Sequence, residues 1–550
     1  MNPLKDDFTR ELSSQLEGHY DCLDRITLNG FFRMGSTSGG LLTWWNALTG
    51  SQPLTQDKLR AFSGAFSRRV RAWAEKNGVP LIDFATGDKT KHDRAEKLQP
   101  ADPAFTGVFA IFVARAPAPI WEAYANPQGK VVLYRPKHRA LVNHYYFHLV
   151  DAQWGHVTIR LCGHPPFPAL IMLNGHEWVE RTARQKDLPL VKRSNCFVEG
   201  SDLRGVDQIA ARLLAPGGVL GLAEVCERWI YSACLCFGLT REEQQRSGFA
   251  YQFSVYQIEY SRNLVFKSGR TLDEHYRSLI ERIWPALDVP RLKTIFGRCR
   301  RPHYKKTGPA KVERRLERTD YDLTVFKLGF GGLELKMYDK AARLLRIEMI
   351  ARRTDDLRCG RLLTRVPEML GRMRETVGDF LNVVQAVHHC TVGVRQLDAL
   401  PAPSACGAKR IAGVDLQKPR MQAVAAGVIA LAAAPHGFTA EQLAAQTKRH
   451  RPRLRRKYGV RQAAYDLRKL RAKGLVQRIA KTRRYRVRKT AIKTLAGWFI
   501  LREKVIKPVL AGVCRPRPGP LPKCPTLLDE HYRTLQQEMH RTLNHLKLAA

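Results

Sequence analysis

The stretch GGLELKMYDKAARLLRIEMIARR, Gly331 to Arg353, constrains the fold most. Apolar residues recur at every second position through Leu333, Leu335 and Met337, and again through Leu345, Ile347 and Met349. That period belongs to strands with one face in a core, so the stretch reads as two strands around a short turn. The other parity carries Lys336, Tyr338 and Lys340, answered by Arg346 and Glu348 on the returning strand. So many polar side chains on one face point to a sheet with a working surface.

The same reasoning finds strands in DCLDRITLNGFF, GVFAIFVARA, KVVLYRP, NHYYFHLVD, HVTIRLCG and ALIMLNG, the last followed by a helix that begins near His176. Helical patterns cover 204–245 and about 360–390. The stretch 298–318, RCRRPHYKKTGPAKVERRLER, is a basic loop ahead of the hairpin, and 400–413, LPAPSACGAKRIAG, has the composition of a linker. At roughly 150 residues per domain, 550 residues exceed a single core. The expected architecture is a multidomain α+β and α/β protein with mixed sheets and helices in its front part. An N-terminal α/β domain spans 1–200 and a central α+β domain with the basic loop and hairpin spans 201–400. A winged helix-turn-helix spans 414–510, and a Pro-rich tail with a short helix spans 511–550.

The winged helix rests on residue order. FTAEQLAAQ carries Thr439 and, three residues on, Gln442, the pattern of a capping box. In the next helix Val460, Ala464, Leu467 and Leu470 form one stripe, and Gly474 ends it. LVQRIAKTRRYRVRKT then reads as two strands around a basic turn. Helix, helix-turn-helix and hairpin is the winged-helix order, and the segment resembles bacterial regulators of the MarR type. The stripe predicts that Arg461, Gln462, Tyr465, Arg468 and Lys469 face outward, where such side chains meet base edges and phosphates. Between 448 and 486 there are 17 Lys or Arg residues and one acid, Asp466.

Charge supports the same partner. The chain has 92 Lys and Arg against 50 Asp and Glu, a net charge of +42. A polyanion such as duplex DNA is the expected counterpart, with RNA or single-stranded DNA for the front part. Further candidate contacts are Arg455, Arg456, Arg483 and Arg484, the loop residues Arg300, Arg301, Lys305 and Lys306, and the hairpin residues Lys336, Lys340 and Arg346. No run of about 18 apolar residues is present to span a bilayer. The polar, acidic start MNPLKDDFTRELSSQ does not read as a signal peptide. Twelve cysteines without CxxC pairs fit reduced thiols of the cytoplasm rather than a zinc site.

The front part, through NHYYFHLVD, WGHVTIRLCGHPPFPALIMLNGHEW, YQFSVYQIEYS and LKMYDKAARLLRIE, resembles a widespread bacterial family of uncharacterised proteins. That resemblance implies architecture and little chemistry, with a mobile-element association by analogy. The hairpin also resembles strands of phage and plasmid replication initiators, which makes Tyr338 a candidate nucleophile. His144 and His148 lie about 13 Å apart along a strand, too far to share an ion. The alternative function is therefore a metal-dependent nuclease or strand-transfer enzyme with Mg²⁺, whose candidate carboxylates are Asp24, Asp83, Glu177, Glu259 and Glu348, since an in-line attack on phosphate needs clustered carboxylates.

Overall fold

The computed structural model describes residues 6–275, 325–389, 398–406, 409–451, 458–502, 506 and 527–545, apart from positions 89, 129–130, 138, 194, 214 and 331. The loop residues Arg300, Arg301, Lys305 and Lys306, together with Arg455 and Arg456, lie outside the described residues.

A ten-stranded mixed sheet organises the front part. Its strands are β1 (Leu16–Phe32), β2 (Leu81–Phe84), β3 (Gly107–Ala118), β6 (Ala140–Asp151), β7 (Gly155–Cys162), β8 (Ala169–Asn174), β9 (Tyr251–Phe266), β10 (Val325–Phe330), β11 (Leu333–Lys340) and β12 (Leu344–Ala351). The spatial order is β10-β11-β12-β9-β1-β8-β7-β6-β3-β2. Only the β2–β3 pair is parallel. A small ladder, β4 (Glu122–Ala125) with β5 (Val131–Tyr134), stands apart.

This topology corrects the expected boundary at residue 200. Strand β9 pairs with β1 from Leu16↔Phe266 to Phe32↔Tyr251, and β12 extends the sheet from β9. The sheet therefore crosses both proposed front domains. Long antiparallel pairing between distant segments joins them because each strand satisfies its backbone groups only against the other.

The hairpin is where the alternation placed it. Lys336 stands opposite Glu348 and Tyr338 opposite Arg346. Ala341 and Ala342 turn the chain at φ 52° and 65°. All eight residues of β12 are buried, including the polar parity, because helices cover both faces of the sheet centre. On one face lie α1 (Gly175–Arg184) and α2 (Leu203–Leu213). Gly175 is required there: a Cβ would stand 2.0 Å from the Leu23 carbonyl oxygen. On the other face lies α3 (Val366–His388), which buries Val366, Met369, Leu370, Met373, Val377, Phe380 and Val384 at helical spacing.

Beyond α3, the stretch read as a linker folds into a two-stranded ladder, β13 (Ser404–Cys406) with β14 (Lys409–Ile411). Helices α4 (Pro419–Ala430), α5 (Ala440–His450) and α6 (Val460–Ala472) follow, then the ladder β15 (Val476–Arg478) with β16 (Tyr485–Val487), then α7 (Lys489–Leu501). The capping box at Thr439 and Gln442 is formed. These elements touch the front part: Lys489 Nζ lies 2.7 Å from Asp7 Oδ2. Among the described residues no single helix is long and apolar enough to cross a membrane.

Candidate functional site

The centre of the sheet carries a buried charge cluster on each face. A β-bulge on β1 lies beside the first. Leu23 pairs with Tyr260 and Ile26 with Ile258, so Asp24 and Arg25 together oppose Glu259. Asp24 keeps the alternation of Tyr20 and Cys22 and so faces α1, where the Tyr20 ring also meets His176 at 5.9 Å. Its Oδ1 accepts a hydrogen bond from Ser261 Oγ at 2.9 Å and lies 3.0 Å from His176 Nδ1. Its Oδ2 accepts from Arg346 Nη2, while Arg346 Nη1 donates to the Asn195 carbonyl at 2.6 Å. Asp24 and Arg346 are each 1% exposed.

Electrostatics follow from that burial. Desolvation opposes ionisation of Asp24, but Arg346 and His176 outweigh it and hold its carboxyl well below the usual carboxylate range. Burial pushes His176 down, against the pull of Asp24. Beside them Glu259 is pushed up by burial, with Glu348 and Asp24 adding repulsion against the opposing Arg25. Lys336 Nζ donates to Glu348 Oε2 at 3.2 Å.

On the opposite face, Arg262 donates from Nε to Asp21 Oδ1 at 2.7 Å and from Nη2 to Asp21 Oδ2 at 2.9 Å. Asp6 caps the same guanidinium, Tyr260 OH donates to Asp21 at 2.6 Å, and Arg374 from α3 comes within 3.2 Å. Ser261 and Arg262, adjacent on β9, and Asp24 and Asp21, three apart on β1, thus serve opposite faces, as the pleat requires.

This geometry revises several expected roles. Asp24, Glu259 and Glu348 do share one face of the sheet, but Asp24 is spent on Arg346, His176 and Ser261. Arg346 was expected to hold phosphate; it is inside the protein and bound to Asp24 and a carbonyl, because a buried guanidinium requires a carboxylate partner. Lys336 is half-buried on Glu348 rather than free for an anion. Tyr338 and Lys340 are half-buried on the same strand face. Among the described residues, the one trio of His, Cys, Asp or Glu whose ligand atoms all lie within 4.8 Å of one another is Glu11, His388 and His389, and it includes none of Asp24, Glu259 and Glu348.

The sequence reading missed His176, Ser261, Asn195 and the Asp6–Asp21–Arg262 set. For His176 a signal existed. Asn174 is the N-cap of α1, its Oδ1 accepting from His176 N at 2.9 Å, so LNGHEW fixes the histidine in the first helical turn. His144 and His148 are indeed separate; His148 Nδ1 instead meets His156 Nε2 at 3.1 Å.

The C-terminal surface is a second candidate. Helix α6 buries Ala463, Asp466, Leu467 and Leu470 and exposes Arg461, Gln462, Tyr465 and Arg468. Three expected positions differ, the first being Ala464, which is half-buried while Ala463 takes the core side of the helix. Val460 is 51% exposed, because it opens the helix before the stripe reaches the core. The Lys469 side chain is only 11% exposed, 4.0 Å from Asp466 and over the Tyr465 ring, since the buried carboxylate draws it in. Asp466 also takes Arg420 at 2.6 Å and the Tyr458 hydroxyl at 2.9 Å, which ties α4 to α6. Arg483 is exposed at the ladder's turn with Lys481 and Arg486, whereas Arg484 donates to the His436 and Gly437 carbonyls.

Comparison with protein-family models, with curated proteins and with solved structures finds no match to this chain.

Proposed function

We propose that the protein binds duplex DNA, and that α4 to α7 with the β15–β16 ladder act as a winged helix whose α6 enters the major groove. One observation carries this reading. The single acid between 448 and 486, Asp466, is fully buried on Arg420 and Tyr458. The described outer face of α6 and the ladder turn therefore present Arg461, Gln462, Tyr465, Arg468, Lys481 and Arg483 with no carboxylate among them. Such a face gains counterion-release energy from phosphate and has Arg and Gln forks for base edges.

The β11–β12 hairpin is not proposed as a second interface, because its strongest cation is consumed inside the sheet. A mobile-element setting fits a basic, DNA-directed protein by analogy only.

The test is fluorescence anisotropy of the full chain with a labelled duplex at several salt concentrations. Arg461→Ala with Arg468→Ala is expected to weaken binding about tenfold or more and to flatten the salt slope by roughly 1–2, as for one or two lost phosphate contacts. An affinity and slope equal to wild type would end the assignment of α6. Adding Mg²⁺ to the same mixtures is expected to give no strand cleavage.

A further inference from the structure

We propose that the cleft between α3 and the β15–β16 ladder binds a phosphoryl group. The cleft encloses about 400 Å³, within the range of small-ligand sites. Arg358, Arg372, Arg484, Arg486 and His436 line it.

The way these cations are held matters. Arg484 donates from Nε to the His436 carbonyl at 2.7 Å and from Nη2 to the Gly437 carbonyl at 3.1 Å. Arg372 donates from Nη1 to the Leu357 and Arg358 carbonyls at 2.6 and 3.1 Å, and from Nη2 to Glu368 at 2.7 Å. Carbonyls fix the Arg484 guanidinium in place without neutralising it, whereas Arg372 also carries the Glu368 carboxylate. The result is a preorganised set of positive charges, which is what an anion site requires.

The charges are felt across the cleft. Burial, reinforced by Arg358, Arg372 and Arg484, pushes His436 below its ordinary value. Burial and Arg358 do the same to Arg484. His436 Nε2 is buried and has no hydrogen-bond partner among the described residues. Glu375 and Asp379 also line the cleft, so with Glu368 on Arg372 four guanidinium groups meet three carboxylates. Asp379 is pushed up by burial against the pull of Arg486.

Guanidinium groups converge here from three separate segments: Arg358 from the turn after β12, Arg372 from α3, and Arg484 with Arg486 from the ladder. A tetrahedral phosphoryl group offers oxygens in several directions to such a set, whereas a planar carboxylate offers two. The group has two sources, a phosphodiester of the duplex or a free phosphate monoester. Only the choice between them rests on the DNA-binding reading.

The experiment titrates the full chain with inorganic phosphate at constant ionic strength, following the melting temperature and the heat of binding. Wild type is expected to be stabilised by phosphate beyond an equal ionic strength of chloride. Arg358→Ala with Arg486→Ala, both exposed positions, is expected to lower phosphate affinity at least tenfold. Arg484→Lys, which keeps the charge and loses the fork, is expected to weaken it as well. Arg461→Ala with Arg468→Ala should retain the phosphate response, so a failure of α6 to bind DNA is told apart from a failure of this site. Competition between phosphate and duplex, with weaker duplex binding in the Arg358 and Arg486 variant, assigns the site to the DNA backbone. Unchanged duplex binding with lost phosphate binding assigns it to a free monoester. A response no larger than chloride, or one that survives the Arg358 and Arg486 substitutions, overturns the proposal.

Discussion

Asp24→Ala is expected to destabilise the fold by about 3–5 kcal/mol, the usual cost of leaving one buried ion without its partner. Arg346 is 1% exposed and its carboxylate partner is Asp24. Its remaining described bond, to the Asn195 carbonyl, satisfies a donor but leaves the charge in place. His176 and Ser261 lose the same acceptor. Urea unfolding followed by tryptophan fluorescence measures the change. Combining Asp24→Ala with Arg346→Met should recover much of it, because the double variant removes the stranded charge. A loss below about 1 kcal/mol for Asp24→Ala would mean that water solvates the guanidinium and that the cluster is not the sealed pair described above.

Acidification from pH 7 to pH 5 is expected to destabilise the protein through its buried histidines. His148 is pushed down to about 3 by burial, with His156 and His92 adding repulsion, and His156 is pushed down to about 4 by burial and His92. In the unfolded chain both titrate near the ordinary value of about 6.5. Below that value the unfolded state binds more protons, so stability rises with pH and falls as pH drops. The contribution is complete above about 6.5 and is lost progressively down to the folded values near 4 and 3. At pH 5 a single histidine so placed costs about 2 kcal/mol. His144, pushed down to about 4 by burial and Arg160, acts in the same direction. His148→Phe fits a site whose ring already lies 4.5 Å from Phe112, and it should flatten the pH dependence by about one proton between pH 5 and 6.5. Equal stability of wild type at pH 7 and pH 5 would contradict neutral burial of these rings.

Much of the local structure was legible from the residues alone. Alternation in LELKMYDK and LLRIEMIA specified two strands and which side chains share a face, but not that both faces of the second strand are buried. Thr439 and Gln442 announced the start of α5 through hydrogen bonds that close within four residues. Arg461, Gln462, Tyr465 and Arg468 followed from the position of Leu467 and Leu470 on one helix. These are short-range consequences of backbone geometry, and they depend on no distant partner.

Sequence by itself therefore determined the hairpin, the helix order of the C-terminal part and the excess of positive charge. Only the tertiary structure decided which charges remain available to a partner. Asp24 and Arg346 are 322 residues apart, and Asp21 and Arg262 are 241 apart; nothing in local spacing couples them. Strand pairing across the expected boundary at 200 brought them together. Burial then converted Arg346 and Lys469 from expected surface contacts into internal partners of Asp24 and Asp466. The physical reason is the cost of desolvating an unpaired ion, which forces each buried guanidinium or ammonium group to find its carboxylate wherever the fold places one.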